Sequence, residues 1–131
     1  MVDFPVAPLR IAVAEDDPAN RQVFVRLLEA LGHEVPVVVS DGFELIEECR
    51  ENDIDLVFAD FCMPGMDGLA AAEHLAGKGI AVVIISGHPD ADKIRVDFEP
   101  IEMVLRKPAT IDELKLAIQQ ATRRGLTYGW K

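Results

Sequence analysis

With 131 residues, half of them apolar, the chain can bury the core of one domain and is too apolar to be disordered. Thirteen Lys and Arg against twenty-three Asp and Glu leave a net charge of −10, which argues against direct nucleic-acid binding through phosphate neutralisation and favours protein partners. No apolar run approaches the roughly 18 residues of a membrane span, and Met1 to Pro5 lacks the basic and apolar regions of a secretory signal. Membrane insertion is therefore not expected. Cys49 and Cys62 have no disulfide-framework spacing, which points to a reduced, cytoplasmic compartment.

Strand and helix signals alternate along the chain. Leu9–Ala14 reads as a strand, and Pro18–Leu31 as a helix with Asp17 as N-cap and Pro18 at its first position. Val23, Leu27, Leu28 and Leu31 form that helix's expected apolar stripe, and Gly32 stops it. Val35–Val39 is a strand in which Pro36 removes a ladder donor, so it belongs at a sheet edge. Asp41 caps a helix over Gly42–Arg50. The strand Leu56–Ala59 follows, then a helix over Asp67–Ala76 ended by Gly77. Ile80–Ile85 is a continuous apolar run, as in a central parallel strand covered on both faces. A short helix over Asp90–Val96, a strand over Glu102–Leu105 and a Thr110-capped helix over Ile111–Arg123 complete the series. Five βα units with short loops imply a doubly wound parallel sheet with helices on both faces, and the edge proline in strand two selects the order 2-1-3-4-5. The expected boundaries are an extension over 1–8, the domain over 9–124 and a tail over 125–131.

Polar residues gather at one end of this sheet. Glu15 and Asp16 follow the first strand, Asp60 follows the third on a Pro/Gly turn, Ser86 ends the fourth, and Lys107 follows the fifth, directly before Pro108. In the order 2-1-3-4-5, strands one and three are neighbours at the topological switch point, where open α/β sheets bind ligands beyond the carboxyl strand ends. Glu15, Asp16 and Asp60 would meet there. Carboxylates so grouped repel one another and need a cation. Oxygen-only ligation with room for water and phosphate oxygens suits Mg²⁺, and the chain has no calcium-loop pattern. A carboxylate can also attack phosphorus to give an acyl phosphate, with metal, Lys107 and Ser86 neutralising the transferring group. Gly87 leaves room beside it.

With these residues in place, the chain resembles the receiver domain of two-component response regulators. Glu15-Asp16-Asp17-Pro18 resembles the family's acidic pocket, and Asp60 with Met63-Pro64-Gly65-Met66-Asp67-Gly68 resembles the phosphoacceptor and its loop. Ser86-Gly87 is similar to its hydroxyl and small-residue pair, and Lys107-Pro108 to its Lys-Pro pair. The resemblance covers Leu9 to Arg123 and implies a flavodoxin-like fold. It also implies phosphotransfer to Asp60 from a histidine kinase or histidine phosphotransfer protein. The implied Mg²⁺ is held by Asp16, Asp60 and the Cys62 main-chain carbonyl, with Glu15 acting mainly through water. One position departs from the pattern. Family members commonly carry Tyr or Phe three residues before the lysine, and here that residue is Val104, so switching by an inward-turning ring is not available.

The expectation is a phosphoryl-accepting switch of the stand-alone type, with output through protein contacts and at most self-catalysed phosphorylation and dephosphorylation. An aspartate-based Mg²⁺ phosphohydrolase is the alternative, but that chemistry usually wants a second acid two residues after the nucleophile, where this chain has Cys62. A flavin module of the same topology fits less well, because the first loop holds acids that would repel an FMN phosphate.

Overall fold

Apolar residues alternate along the inner strands, and the alternation sorts them onto two faces of one sheet. In the computed structural model, which describes residues 8–87 and 101–127, the strands are β1 (Arg10–Ala14), β2 (Glu34–Val39), β3 (Leu56–Asp60), β4 (Ala81–Ser86) and β5 (Ile101–Arg106). The helices are α1 (Pro18–Ala30), α2 (Gly42–Glu51), α3 (Gly68–Ala76) and α4 (Ile111–Thr127). The sheet is five-stranded, parallel throughout and ordered β2-β1-β3-β4-β5, as expected from sequence. Ala12, Val57, Ala59, Val82 and Ile84 face Leu45 of α2 and Ala71, Ala72 and Leu75 of α3. Ile11, Val13, Phe58, Val83 and Ile85 face Leu28 of α1 and Leu114, Ala117 and Ile118 of α4. Each fully buried Leu or Ile contributes about 2 kcal/mol through area removed from water.

β2 is an edge strand, and its pairing with β1 slips where the proline sits. Arg10 is level with Glu34 but Ala12 with Val37, so the stretch containing Val35 and Pro36 carries one extra residue. A proline cannot donate to the ladder, and a bulge at an edge accommodates it.

Three helices start on an aspartate. Asp17 Oδ1 accepts from the amides of Ala19 and Asn20 at 2.9 and 3.3 Å, Asp41 Oδ1 from Glu44 at 2.8 Å, and Asp67 Oδ1 from Ala70 at 2.8 Å. α4 starts with a reciprocal box. The Glu113 amide donates to Thr110 Oγ1 at 3.1 Å and the Thr110 amide to Glu113 Oε1 at 3.0 Å.

Two expectations change. The buried stripe of α1 does not include Val23, which is 59% exposed. Its neighbour Phe24 turns inward instead and meets Phe58 edge to face, with ring centroids 5.1 Å apart. α4 runs four residues past its expected end, to Thr127. It passes Gly125, because one glycine costs a helix only about 1 kcal/mol. The short helix expected over Asp90–Val96 lies outside the described residues.

Candidate functional site

The register of the sheet assembles the polar residues. Ala14 is level with Ala59, so Glu15 and Asp60 each stand one step further along adjacent strands. Asp60 is level with Ile85, and Ser86 with Arg106, which brings Ser86 and Lys107 to the same end. The chain leaves β3 through two backbone contacts, the Phe61 amide to the Ile85 carbonyl at 3.0 Å and the Gly68 amide to the Phe61 carbonyl at 3.0 Å. Lys107 is tied in the same way, its amide donating to the Ser86 carbonyl at 2.9 Å.

Side-chain oxygens of Glu15, Asp16 and Asp60 lie within 4.8 Å of one another. Glu15 and Asp60 are buried, at 6% and 8% exposure, while Asp16 is exposed on the rim. Burying two carboxylates is costly without compensation, and Lys107 supplies it. Its ammonium donates to Asp60 Oδ2 at 2.9 Å and makes a very short contact with Glu15 Oε1. Burial alone would lower the Lys107 ammonium, but the hydrogen bonds and charges of Glu15 and Asp60 outweigh it and hold the group above its ordinary value. The acids are also held by main chain. The Cys62 amide donates to Asp60 Oδ1 at 3.3 Å and the Asp17 amide to Glu15 Oε2 at 3.1 Å.

All six residues singled out from the sequence are at this crevice or on the loops that frame it. Glu15 differs in emphasis, since its carboxylate is the partner of Lys107 as well as one of the clustered acids. Ser86 is buried to 2% exposure at the end of β4. Cys62 is exposed on the turn. The other cysteine, Cys49, is on the buried face of α2, where desolvation pushes its thiol up to about 11 and disfavours the thiolate. Val104 is half-buried against the cluster that includes Ile84.

Sequence alone did not single out Arg21, whose Nη1 donates to the Glu15 carbonyl at 2.9 Å and braces the turn from β1 into α1. Its place six residues after Glu15, in the second turn of the helix that Asp17 caps, was the available signal. Nor did sequence alone single out Phe43. A Cβ added to Gly65, which has φ +81°, would lie 2.8 Å from two carbons of the Phe43 ring.

The donor set is oxygen-only and anionic, with neither imidazole nor thiolate in the described cluster, and it fits a hard divalent cation. No described helix is long and apolar enough to cross a membrane.

A profile described as response regulator receiver domain matches residues 11–119. The transcriptional regulatory protein PdtaR of Mycobacterium tuberculosis is 33% identical over 119 residues, which is 89% of this chain and 58% of that protein. The sensor histidine kinase RcsC of Escherichia coli is 29% identical over 110 residues, 82% of this chain and 12% of that one. The chain thus spans less than two thirds of these relatives. Among solved structures, a response regulator receiver domain protein from Clostridium thermocellum has a TM-score of 0.80 at 32% identity, covering 92% of this chain and 98% of that one. The signal receiver domain of the NarL response regulator from Mycobacterium tuberculosis has a TM-score of 0.80 at 25% identity, covering 90% and 98%.

Proposed function

The chain belongs to the response regulator receiver domain family, a signalling domain of two-component systems, and on that premise we propose that Asp60 accepts a phosphoryl group from a phosphohistidine. The observation that carries this reading is the bridge from Lys107 to both Glu15 and Asp60, with Asp16 within 4.8 Å. A salt link kept for stability needs one acid for one lysine. Three clustered acids around one lysine leave negative charge uncompensated, and that fits a site built to take a further cation.

In the transfer, a carboxylate oxygen of Asp60 attacks phosphorus, the new P–O bond forms as the P–N bond to the donor imidazole breaks, and the departing nitrogen takes up a proton. The Cys62 amide and the Lys107 ammonium fix the carboxylate before attack, so orientation is set in advance. Lys107 then offers its charge to the phosphoryl oxygens, and Ser86, at the end of β4, is the hydroxyl donor for the same group. Asp16, Asp60 and the Cys62 carbonyl are the proposed Mg²⁺ ligands, with Glu15 acting through water and as the anchor of Lys107. When bound, Mg²⁺ neutralises charge on the transferring group and on the acids around it.

The donor is a histidine kinase or a histidine phosphotransfer protein, and a cytoplasmic location follows from that partner. Output runs through protein contacts near the carboxyl ends of β4 and β5, with Ser86 and Lys107 reporting the new charge rather than an aromatic ring at position 104. The phosphohydrolase reading predicts continuous turnover instead. Phosphate release from acetyl phosphate with Mg²⁺ separates the two. A receiver gives release limited by slow hydrolysis of the aspartyl phosphate and abolished in Asp60→Asn, whereas fast, steady release with no accumulated phosphoprotein would overturn the proposal.

A further inference from the structure

The loop from β3 to α3 carries Asp60 at its start and Cys62 two residues on, and it is tied firmly at both ends. Phe61 is held to Ile85 and to Gly68, and the Cys62 amide to Asp60, while Asp67 caps α3. Its middle is held from another element. The first turn of α2 lies against it, so closely that a Cβ on Gly42 would come within 2.6 Å of the Met66 carbonyl oxygen and 2.8 Å of Met66 Cβ. On the next residue, Phe43 lays its ring against Gly65, where a Cβ would meet ring carbons Cδ2 and Cε2 at 2.8 Å. Gly65 also has φ +81°, a conformation in which a side chain is strained. The contact therefore needs glycine twice over, once for the backbone and once for the ring.

The ring is not held there by core burial. Phe43 is 60% exposed, so it does not belong to either hydrophobic cluster of the sheet. Its platform is rigid, because Asp41 caps α2 at 2.8 Å and Leu45, one turn on, is fully buried. An exposed aromatic on a fixed helix start, seated on a glycine of the loop that begins with Asp60, is badly placed for stability and well placed to restrain that loop.

We infer that Phe43 is a positioning residue of the Asp60 site, clamping the loop at Gly65 so that the Cys62 carbonyl and the Asp60 carboxylate are ordered before a cation arrives. This rests on the proposed Mg²⁺ and phosphoryl chemistry of the crevice. Without the clamp, binding has to order the loop itself. Fixing about one residue's backbone corresponds to about a tenfold loss of affinity.

The test compares wild type, Phe43→Ala, Phe43→Leu and Phe43→Tyr in three measurements. These are Mg²⁺ affinity by calorimetry, amide exchange without metal, and acetyl-phosphate phosphorylation against Mg²⁺ concentration. Phe43→Ala is expected to weaken Mg²⁺ about tenfold and raise the Mg²⁺ concentration for half-maximal rate by the same factor, with the maximal rate retained. Amide exchange should quicken at Cys62, Met63 and Gly65 and stay unchanged in β1, β3 and β4. Phe43→Tyr should behave as wild type and Phe43→Leu should fall between. Wild-type affinity and loop exchange in Phe43→Ala would overturn the inference, as would faster exchange spread evenly through the strands in both Phe43→Ala and Phe43→Leu. If wild type itself binds no Mg²⁺, it is the reading of the crevice that fails, and the metal-free exchange still decides whether Phe43 clamps the loop.

Discussion

Replacing Asp60 with Asn should make the metal-free protein more stable while removing its function, and the geometry sets the size of the gain. Among the described residues, Asp60 has one favourable charge contact, Lys107 at 2.9 Å, and two unfavourable ones, with Glu15 and Asp16 oxygens within 4.8 Å. At an effective dielectric of about 20, the attraction is about 6 kcal/mol and each repulsion about 3.5 kcal/mol. Removing the charge trades about 7 kcal/mol of repulsion for about 6 kcal/mol of attraction, a net gain of about 1 kcal/mol. Lys107 keeps Glu15 as partner, and the Asn side-chain oxygen can still accept from it. Urea denaturation in EDTA should show the difference, as should a melting midpoint raised by about 4 °C. Mg²⁺ at about ten times its dissociation constant adds about 1.4 kcal/mol to wild type. Asp60→Asn has lost a ligand and gains less, so the gap should close or reverse. If Asp60→Asn is less stable than wild type in EDTA, the crevice stores no repulsion and the argument for a cation site collapses.

Wild type should melt higher in millimolar Mg²⁺ than in EDTA, because the crevice exists only when β1 and β3 are paired; an unchanged midpoint with no heat of binding would remove the metal assignment. Lys107→Met strips the compensating cation from two buried carboxylates and should cost about 3 kcal/mol, with more of it recovered in the double variant with Asp60→Asn than the gain of Asp60→Asn alone explains; purely additive effects in a double-mutant cycle would mean the pair is not coupled. Lys107→Arg keeps charge but changes reach, so it should still accept phosphate while the exchange response of β5 to beryllofluoride is blunted; an unaltered response would count against Lys107 as the reporter. His33 is buried, its Nδ1 accepts from the Leu9 amide at 3.0 Å, and burial holds its pKa below 6.5. The unfolded chain therefore binds the proton more readily, so this contribution is complete above about pH 6.5 and is lost as pH falls below it. Urea titrations from pH 7.5 to 5.5 should show a slope that His33→Gln reduces, and equal slopes would contradict it.

What could be read from sequence was local. Asp17, Asp41 and Asp67 announce helix starts because an N-cap depends on residues two and three further on. Pro36 announces a sheet edge because it has no amide hydrogen. Asp60, Ser86 and Lys107 could be placed at strand ends because each closes an apolar run. What could not be read depends on how elements pack. Val23 and Phe24 both suit the inner face of α1 by spacing, and the position of Phe58 decides between them. That Glu15 would be claimed by Lys107, ninety-two residues away in sequence, follows from the β1-β3-β4-β5 order and the length of a glutamate side chain. The Phe43–Gly65 contact joins the first turn of α2 to the loop after β3, two segments with no shared pattern, and only their close approach reveals it.

The central claim is that Asp60 is the phosphoacceptor of this crevice. Intact mass and peptide mapping after incubation with acetyl phosphate and Mg²⁺ test it most directly. The account predicts the gain of one phosphoryl group, labile to hydroxylamine, mapped to the peptide containing Asp60, dependent on Mg²⁺ and absent from Asp60→Asn. A phosphoryl group found on another residue, or carried by Asp60→Asn at the wild-type rate, would contradict it.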